Sequence, residues 1–186
     1  MQDKNVVYLP GASSGTNRDW ALDIQAALAD KYHYSYAHRY QHWDDGGHQI
    51  DLDLEVETLT EQIADIESYG LIAKSVGAVL ALRGMYEGIL QPDYLICLGF
   101  PLKPLTHSDI SLKKWIEHAE NIPIIIVQNV DDPLGSYDEV TSWINQLNKR
   151  IVFVQLPGET HTYDDFEAID KIITGLDKSL TEKGST

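Results

Sequence analysis

The chain has 186 residues, of which 43% are hydrophobic, so it is long enough to bury a sizeable core. Its formal net charge is −15, from 14 basic against 29 acidic side chains. This charge argues against nucleic acid or an anionic membrane as a partner, because both bind basic surfaces. A single cysteine excludes an intrachain disulfide and suits a reducing compartment.

No targeting or membrane-spanning segment is predicted. The first apolar run, Asn5 to Leu9, is shorter than the apolar region of a signal peptide. No other run approaches the roughly 20 apolar residues that cross a bilayer as a helix. We therefore expect a cytoplasmic protein, while its oligomeric state is left open.

Short apolar runs alternate with segments of helical periodicity along the chain. Strands are predicted at residues 5–9, 34–39, 70–74, 94–98, 122–127 and 151–156. Helices are predicted at about 18–31, 54–66, 76–87, 112–119 and 137–147, and from residue 166 onward. The strands are continuously apolar and none are close enough for a hairpin, which is typical of a parallel sheet covered by helices on both faces. This pattern predicts one three-layer α/β domain over residues 1–186, with its core between about 5 and 176.

The segment from Leu71 to Leu80 carries the strongest chemical signal. An apolar strand ends at Lys74, a serine follows, and an apolar helix begins at once. So short a turn strains the serine backbone and exposes its hydroxyl above the sheet. The small residues Ala73 and Gly77 let the strand and helix approach each other. Because the usual pattern is G-x-S-x-G, Ala73 departs from it by one methyl group.

An acid and a base follow two later strands. Ser75 follows strand three, Asp131 and Asp132 follow strand five, and His161 follows strand six. Parallel strands end at one edge of the sheet, so these side chains are expected to converge there. A serine hydroxyl needs a base to take its proton, and a carboxylate holds the imidazole of that base in the required tautomer. Asp132 is preferred over Asp131 because the following proline favours an extended backbone at position 132.

The loops beside these residues predict an oxyanion hole and pocket walls. The backbone amides of Val76 and Ala12 are expected to stabilise an oxyanion, with Ser13 as the second choice for the latter. The expected pocket walls are the side chains next to the motif loops, namely Ser13, Trp20, Phe100, Leu134 and Tyr163. The loops are too short to hold a lid, so we expect an open, shallow site for small acyl groups.

With these motifs the chain resembles the α/β-hydrolase family, in particular its small cap-less members near the dienelactone-hydrolase-like branch. The matching segments are 73–77, 98–102, 127–133 and 158–161, and the resemblance runs from about residue 5 to 176. It implies a six-stranded parallel sheet in the order 2-1-3-4-5-6, without the family's two antiparallel leading strands. It also implies Ser75 as nucleophile, Asp132 as acid and His161 as base.

The resemblance implies a serine hydrolase of carboxylic esters or thioesters with small acyl groups, acting through an acyl-enzyme and without a cofactor. Its expected partner is a small-molecule ester. Pro10, Ala73 and Asn129 replace residues that the family commonly has at these positions. Two alternatives remain: a binding protein that keeps the fold without turnover, and a flavodoxin-like nucleotide binder that uses the loop after strand one.

Other polar residues have structural interpretations. Lys74 is expected to point into solvent, and the acidic helix over 51–67 to present its acids to solvent. Cys97, in the middle of strand four, is expected to be a small buried apolar residue. No metal site is expected from the histidines that lie close in sequence, His38, His42 and His48, because their segment is predicted to be strand and loop.

Overall fold

The computed structural model describes residues 4–44, 50–106, 111–119, 121–147 and 151–183. Its strands are β1 (Asn5–Leu9), β2 (Tyr34–Ala37), β3 (Gly70–Lys74), β4 (Tyr94–Leu98), β5 (Ile124–Asn129) and β6 (Val152–Leu156). They form a six-stranded sheet in the order β2-β1-β3-β4-β5-β6, and every neighbouring pair is parallel. The predicted fold class and strand order are confirmed. The prediction of a single domain over residues 1–186 stays a prediction.

Helices connect the strands and cover both faces of the sheet. They are α1 (Ser14–Ala27), α2 (Leu52–Gln62), α3 (Val76–Tyr86), α4 (Leu102–Thr106), α5 (Leu112–His118), α6 (Tyr137–Ile144) and α7 (Phe166–Lys183), with a 3₁₀ turn at Gln41–Trp43. The short helix α4 is not among the helices predicted from the sequence. Pro104 lies in the first turn of that helix, where a missing N–H costs no hydrogen bond. None of the helices in these described ranges is long and apolar enough to span a membrane.

The side chains of β3 show how the two cores are divided. Leu71 and Ala73 pack into the core beneath α2, α3 and α5, whereas Ile72 packs into the core beneath α1 and α7. This division follows from the alternation of side chains along a strand. Lys74 therefore falls on the same face as Ile72, towards α1. Cys97 is buried in the first of these cores, as expected, and its burial raises its pKa to about 12.

Local signals account for where several elements begin. Helix α1 starts four residues earlier than predicted, directly after Ser13, whose backbone is extended. Strand β5 starts after Pro123, whose carbonyl still accepts from the Leu95 amide although proline has no N–H to donate. Helix α6 begins with a capping box in which Ser136 and Glu139 each bind the other's backbone amide.

Candidate active site

Ser75 occupies the turn between β3 and α3 in a strained backbone conformation. Its angles are φ 53° and ψ −120°. Such a conformation costs a non-glycine residue about 1–3 kcal/mol and persists only where the surroundings impose it. Here the Ser75 amide donates to the carbonyl of Leu98 at 2.9 Å, which ties the turn to the end of β4. The Ser75 hydroxyl makes no capping bond to α3, so it is available for chemistry.

Close packing of backbones explains the small residues around Ser75. A Cβ added at Gly77 would collide with the carbonyl oxygens of Leu9 and Pro10 at the end of β1. Backbone atoms cannot move aside as a flexible side chain can, so this position requires glycine. Ala73 is fully buried in the core on the other side of the turn, where its methyl group is accommodated.

The acid and the base are in direct contact. Nδ1 of His161 lies 2.8 Å from Oδ2 and 3.0 Å from Oδ1 of Asp132. A carboxylate can only accept, so Nδ1 carries the proton and the lone pair of a neutral imidazole is on Nε2. Asp132 is buried, and its Oδ1 also accepts from the Leu134 amide at 2.8 Å. The neighbouring Asp131 is exposed, so the geometry favours Asp132 as the acid.

Tyr163 lies behind this pair rather than in the pocket wall. Its hydroxyl donates to Oδ2 of Asp132 at 2.7 Å and accepts from the Asn129 amide at 2.9 Å. The ring is buried and meets the His161 ring edge-on, with centroids 5.8 Å apart. Burial, with a smaller contribution from the Asp132 carboxylate, raises the pKa of Tyr163, so its hydroxyl remains a donor. No pattern in the sequence indicated this role, because it depends on a contact between residues 31 apart.

Ser75 and His161 line one cavity of about 530 Å³ above the carboxyl ends of β1, β3 and β6. Nε2 of His161 is buried and makes no hydrogen bond within the described residues, so no bond joins it to the Ser75 hydroxyl here. Hydrogen bonds between a nucleophile and its base are often long without substrate and shorten in the reacting complex. The cavity thus brings together a strained serine and an imidazole whose Nε2 has no competing partner in the described part of the chain.

The two predicted oxyanion amides belong to residues near Ser75, since Val76 follows it directly and Ala12 lines the same cavity. Val76 is the first residue of α3, so its N–H is among those without an acceptor inside the helix. Ala12 lines the cavity, and its carbonyl accepts from Nε1 of Trp43 at 2.6 Å and from Nε2 of His42 at 2.8 Å. These two bonds fix the loop after β1.

The predicted pocket walls divide into two groups. Ser13, Trp20 and Leu134 line the cavity. Phe100 does not: its side chain is fully buried in the core, stacked on Trp143 with centroids 6.4 Å apart. Its backbone amide donates to Oε1 of Gln128 at 2.8 Å. Phe100 therefore supports the site from the core, whereas Tyr163 supports the acid.

The expectation that Lys74 points into solvent is wrong. Its side chain is buried beneath α1, with 4% of the residue exposed, and it lines the cavity. Nζ donates to Oδ1 of Asn17 at 2.9 Å and lies 5.1 Å from the centre of the Trp20 ring. Burial lowers its pKa to about 8, because removal from water disfavours the charged amine. The sequence did not reveal that α1 covers this end of β3.

The expectation of a solvent-facing acidic helix is wrong at one position. Glu55, on α2, is only 2% exposed, and its Oε2 lies 2.9 Å from Nε2 of His38. Its Oε1 accepts from the Gln41 amide at 2.8 Å. His38 and His42 are thus engaged by Glu55 and by the Ala12 carbonyl, and the described residues hold no group of three or more potential metal ligands. His48 lies outside the described residues.

Sequence comparison identifies the family to which this fold and site belong. Residues 2–175 match the family described as alpha/beta hydrolase domain, so the chain belongs to the α/β-hydrolase family. The resemblance inferred from the motifs is confirmed. No curated protein was found that matches the chain in sequence.

Solved structures share the fold at low sequence identity. The type II thioesterase BorB of the borrelidin biosynthetic cluster is similar with a TM-score of 0.63 and 18% identity, over 95% of this chain and 92% of BorB. A serine hydrolase without a lid from Xanthomonas campestris has a TM-score of 0.64 and 18% identity, over 88% of this chain and 75% of its own. Est1E from Butyrivibrio proteoclasticus, solved with ferulic acid bound, has a TM-score of 0.64 and 16% identity, over 96% of this chain and 89% of Est1E. These similarities describe the fold, which is that of a hydrolase.

Proposed function

We propose that this protein is a serine hydrolase of carboxylic esters or thioesters with small acyl groups, with Ser75 as nucleophile, His161 as base and Asp132 as acid. The observation that supports it most is the state of His161. Its Nδ1 is held by a buried carboxylate, its Nε2 makes no hydrogen bond to any residue that the structure describes, and the residue lines the cavity together with Ser75. This is the arrangement in which an imidazole can accept a serine proton.

Acylation begins when His161 Nε2 takes the proton of the Ser75 hydroxyl and the serine oxygen attacks the substrate carbonyl. Asp132 stabilises the imidazolium that forms and holds its orientation. The carbonyl electrons move to oxygen, where the amides of Val76 and Ala12 are proposed to donate. The positive end of α3 adds to this stabilisation, because negative charge is favoured at a helix N-terminus.

The leaving group departs with the proton held on His161. As the carbonyl re-forms, the alcohol or thiol is released and an acyl-Ser75 ester remains. Water then gives a proton to His161 Nε2 and attacks that ester, and the imidazolium returns the proton to Ser75 as the acid product leaves. Every proton is accounted for by His161, so the reaction as proposed uses no cofactor.

The substrate class rests on the size of the cavity and on the similar structures. The cavity at the carboxyl ends of the strands has a volume of about 530 Å³, which accommodates a short acyl chain. BorB is a type II thioesterase, which supports including thioesters among the proposed substrates. The proposed partner is therefore a small-molecule ester or thioester. The single, buried Cys97 supports the proposal of a reducing, cytoplasmic location.

A serine-directed fluorophosphonate tests the proposal directly. The reagent should form one phosphonyl-serine bond with loss of fluoride, detected by intact mass, and Ser75→Ala should abolish it. Ser142→Ala, on the exposed side of α6, is the matched control and should label normally. A panel of short-chain esters and thioesters then gives the acyl preference. Folded protein that does not label, or that labels equally in Ser75→Ala, would refute the proposal.

A non-catalytic binding protein is the second candidate. The observation in its favour is that no hydrogen bond joins Ser75 to His161 Nε2 in this structure. Under this alternative, small esters would bind in the cavity, the phosphonate would not react, and Ser75→Ala would leave binding unchanged.

A further inference from the structure

Lys74 directly precedes the nucleophile and lines the same cavity. Its residue is 4% exposed, which is unusual for a lysine. Its ammonium contacts two uncharged groups, Oδ1 of Asn17 at 2.9 Å and the face of the Trp20 ring, whose centre is 5.1 Å away. An ammonium has three N–H donors, so the Asn17 contact leaves two of them for another partner.

The charge of Lys74 has no counter-ion in the described part of the chain. No described carboxylate lies within 4.0 Å of Nζ. Asp164 is the acid that acts on it electrostatically, and it does so less strongly than burial. A buried charge is costly unless it is paired and hydrogen-bonded, so a cation kept at this position calls for a negative partner from outside the protein.

The rest of the cavity indicates how much negative charge that partner carries. Helix α1 begins at Ser14 without a side-chain cap or an acid in its first turn, so its positive end is not neutralised there. The exposed side chains of Asp19, Asp23 and Asp164 also line the cavity. Because these acids repel anions, they favour a ligand with one carboxylate over a multiply charged one.

We propose that Lys74 binds a carboxylate of the substrate, so that the site prefers esters or thioesters bearing one carboxylate in addition to the bond that is hydrolysed. This inference rests on the proposed function and names the substrate class of the same site. The carboxylate could belong to the acyl part of the ester or to its alcohol part, and Lys74 would bind either in the same way. Two pairs of substrates distinguish these two positions.

The acyl pair is monoethyl glutarate against ethyl pentanoate, and the alcohol pair is acetoxyacetate against isobutyl acetate, so that each substrate has one ester bond to hydrolyse. For each pair the measured quantity is the ratio of kcat/KM for the charged ester to that for the neutral one. In the natural protein we expect one of the two ratios to exceed unity. Lys74→Met, which keeps an unbranched chain without charge, should lower that ratio about 10- to 100-fold through KM, the range expected when a hydrogen bond to a charged group is lost.

Lys171→Met is the matched control, because Lys171 is an exposed lysine paired with Glu167 on the surface of α7. Its ratios should equal those of the natural protein. A second measurement needs no variant: the ratio should fall as pH rises through about 8, where Lys74 loses its charge. Binding of the charged ester to Ser75→Ala, measured by calorimetry, should likewise weaken when Lys74→Met is added.

The outcomes separate this inference from the proposed function. Failure of the fluorophosphonate to label Ser75 would refute the serine hydrolase itself. Normal labelling together with ratios below unity, or with a ratio that neither Lys74→Met nor rising pH changes, would overturn the role of Lys74 alone. Lys74 would then only hold Asn17 and Trp20 in place.

Discussion

The Tyr163 hydroxyl donates a 2.7 Å hydrogen bond to Oδ2 of Asp132, the same oxygen that lies 2.8 Å from Nδ1 of His161. The same hydroxyl accepts from the Asn129 amide at the end of β5. Tyr163 therefore links the strand that carries the acid to the loop that carries the base. Like Ser75, it has a positive φ, at 53°, so the loop is held in a strained conformation where it approaches the acid.

Replacing Tyr163 by Phe should lower the free energy of unfolding by about 1–3 kcal/mol, because the buried Asn129 amide loses its acceptor and Asp132 loses a donor. The phosphonylation rate should fall, but by less than on removal of the acid itself, because Asp132 keeps its contact with His161. Urea unfolding and labelling kinetics measure the two effects. Tyr34→Phe, at a half-exposed tyrosine, should change neither. An unchanged stability of Tyr163→Phe would show that this hydroxyl does not support the site.

The adjacent acids Asp131 and Asp132 should differ sharply in their effect on activity. Asp132→Asn should slow phosphonylation by roughly 10³- to 10⁴-fold, because an amide stabilises neither the required tautomer nor the imidazolium. Asp131→Asn should have little effect, since its side chain is exposed and the substitution keeps the bond from its backbone amide to the Gly158 carbonyl at 3.0 Å. The reverse ranking of the two variants would assign the acid to Asp131.

A methyl group at Gly77 should destabilise the protein. The added Cβ would overlap the Leu9 and Pro10 carbonyls, so Gly77→Ala should cost roughly 1–3 kcal/mol or more of unfolding free energy and misplace Ser75. Gly15→Ala is the contrasting control, because nothing lies within 4 Å of its added methyl and alanine is the better helix former. Thermal unfolding of both variants tests this. Equal melting temperatures would show that the turn is less tightly packed than the structure indicates.

Two glutamates of α2, two positions apart, should respond differently to truncation. Glu55→Ala should cost about 1–3 kcal/mol, because it leaves the buried His38 ring and the Gln41 amide without their acceptor. Glu57→Ala should be close to neutral because its side chain is exposed. Chemical denaturation of each variant decides the matter. If Glu55→Ala left the free energy of unfolding unchanged, water would have to reach His38 and the Gln41 amide in place of the carboxylate.

The depressed pKa of Lys74 predicts how stability depends on pH. Its pKa is about 8 in the folded protein against an ordinary value of 10.5, so between these values the unfolded chain binds more protons. Stability then rises with pH across this window, relative to a variant without the amine. The melting temperature of the natural protein, measured against that of Lys74→Met, should therefore increase from pH 8 to pH 10.5. A difference that stays constant with pH would show that Lys74 is not desolvated.

The order of elements and the position of the nucleophile could be predicted from the chain alone. Continuous apolar runs such as 94–98 indicate strands buried on both faces, and the spacing from strand to serine to helix around Ser75 leaves little freedom for the turn. These signals are local, because they depend on residues that are neighbours in sequence. The strand order followed from the family resemblance rather than from any local pattern.

The roles of Lys74, Glu55, Phe100 and Tyr163 were decided by the tertiary structure. Alternation along β3 assigns Lys74 to one face of the sheet, but only the packing of α1 removes that face from water. Periodicity marks Glu55 as part of an acidic helix, yet its burial depends on His38, 17 residues away. Burial and electrostatic environment are set by whichever distant segment covers a side chain. The sequence by itself thus determined which chemical groups reach this edge of the sheet, and folding determined which of them are shielded from water and what each one contacts.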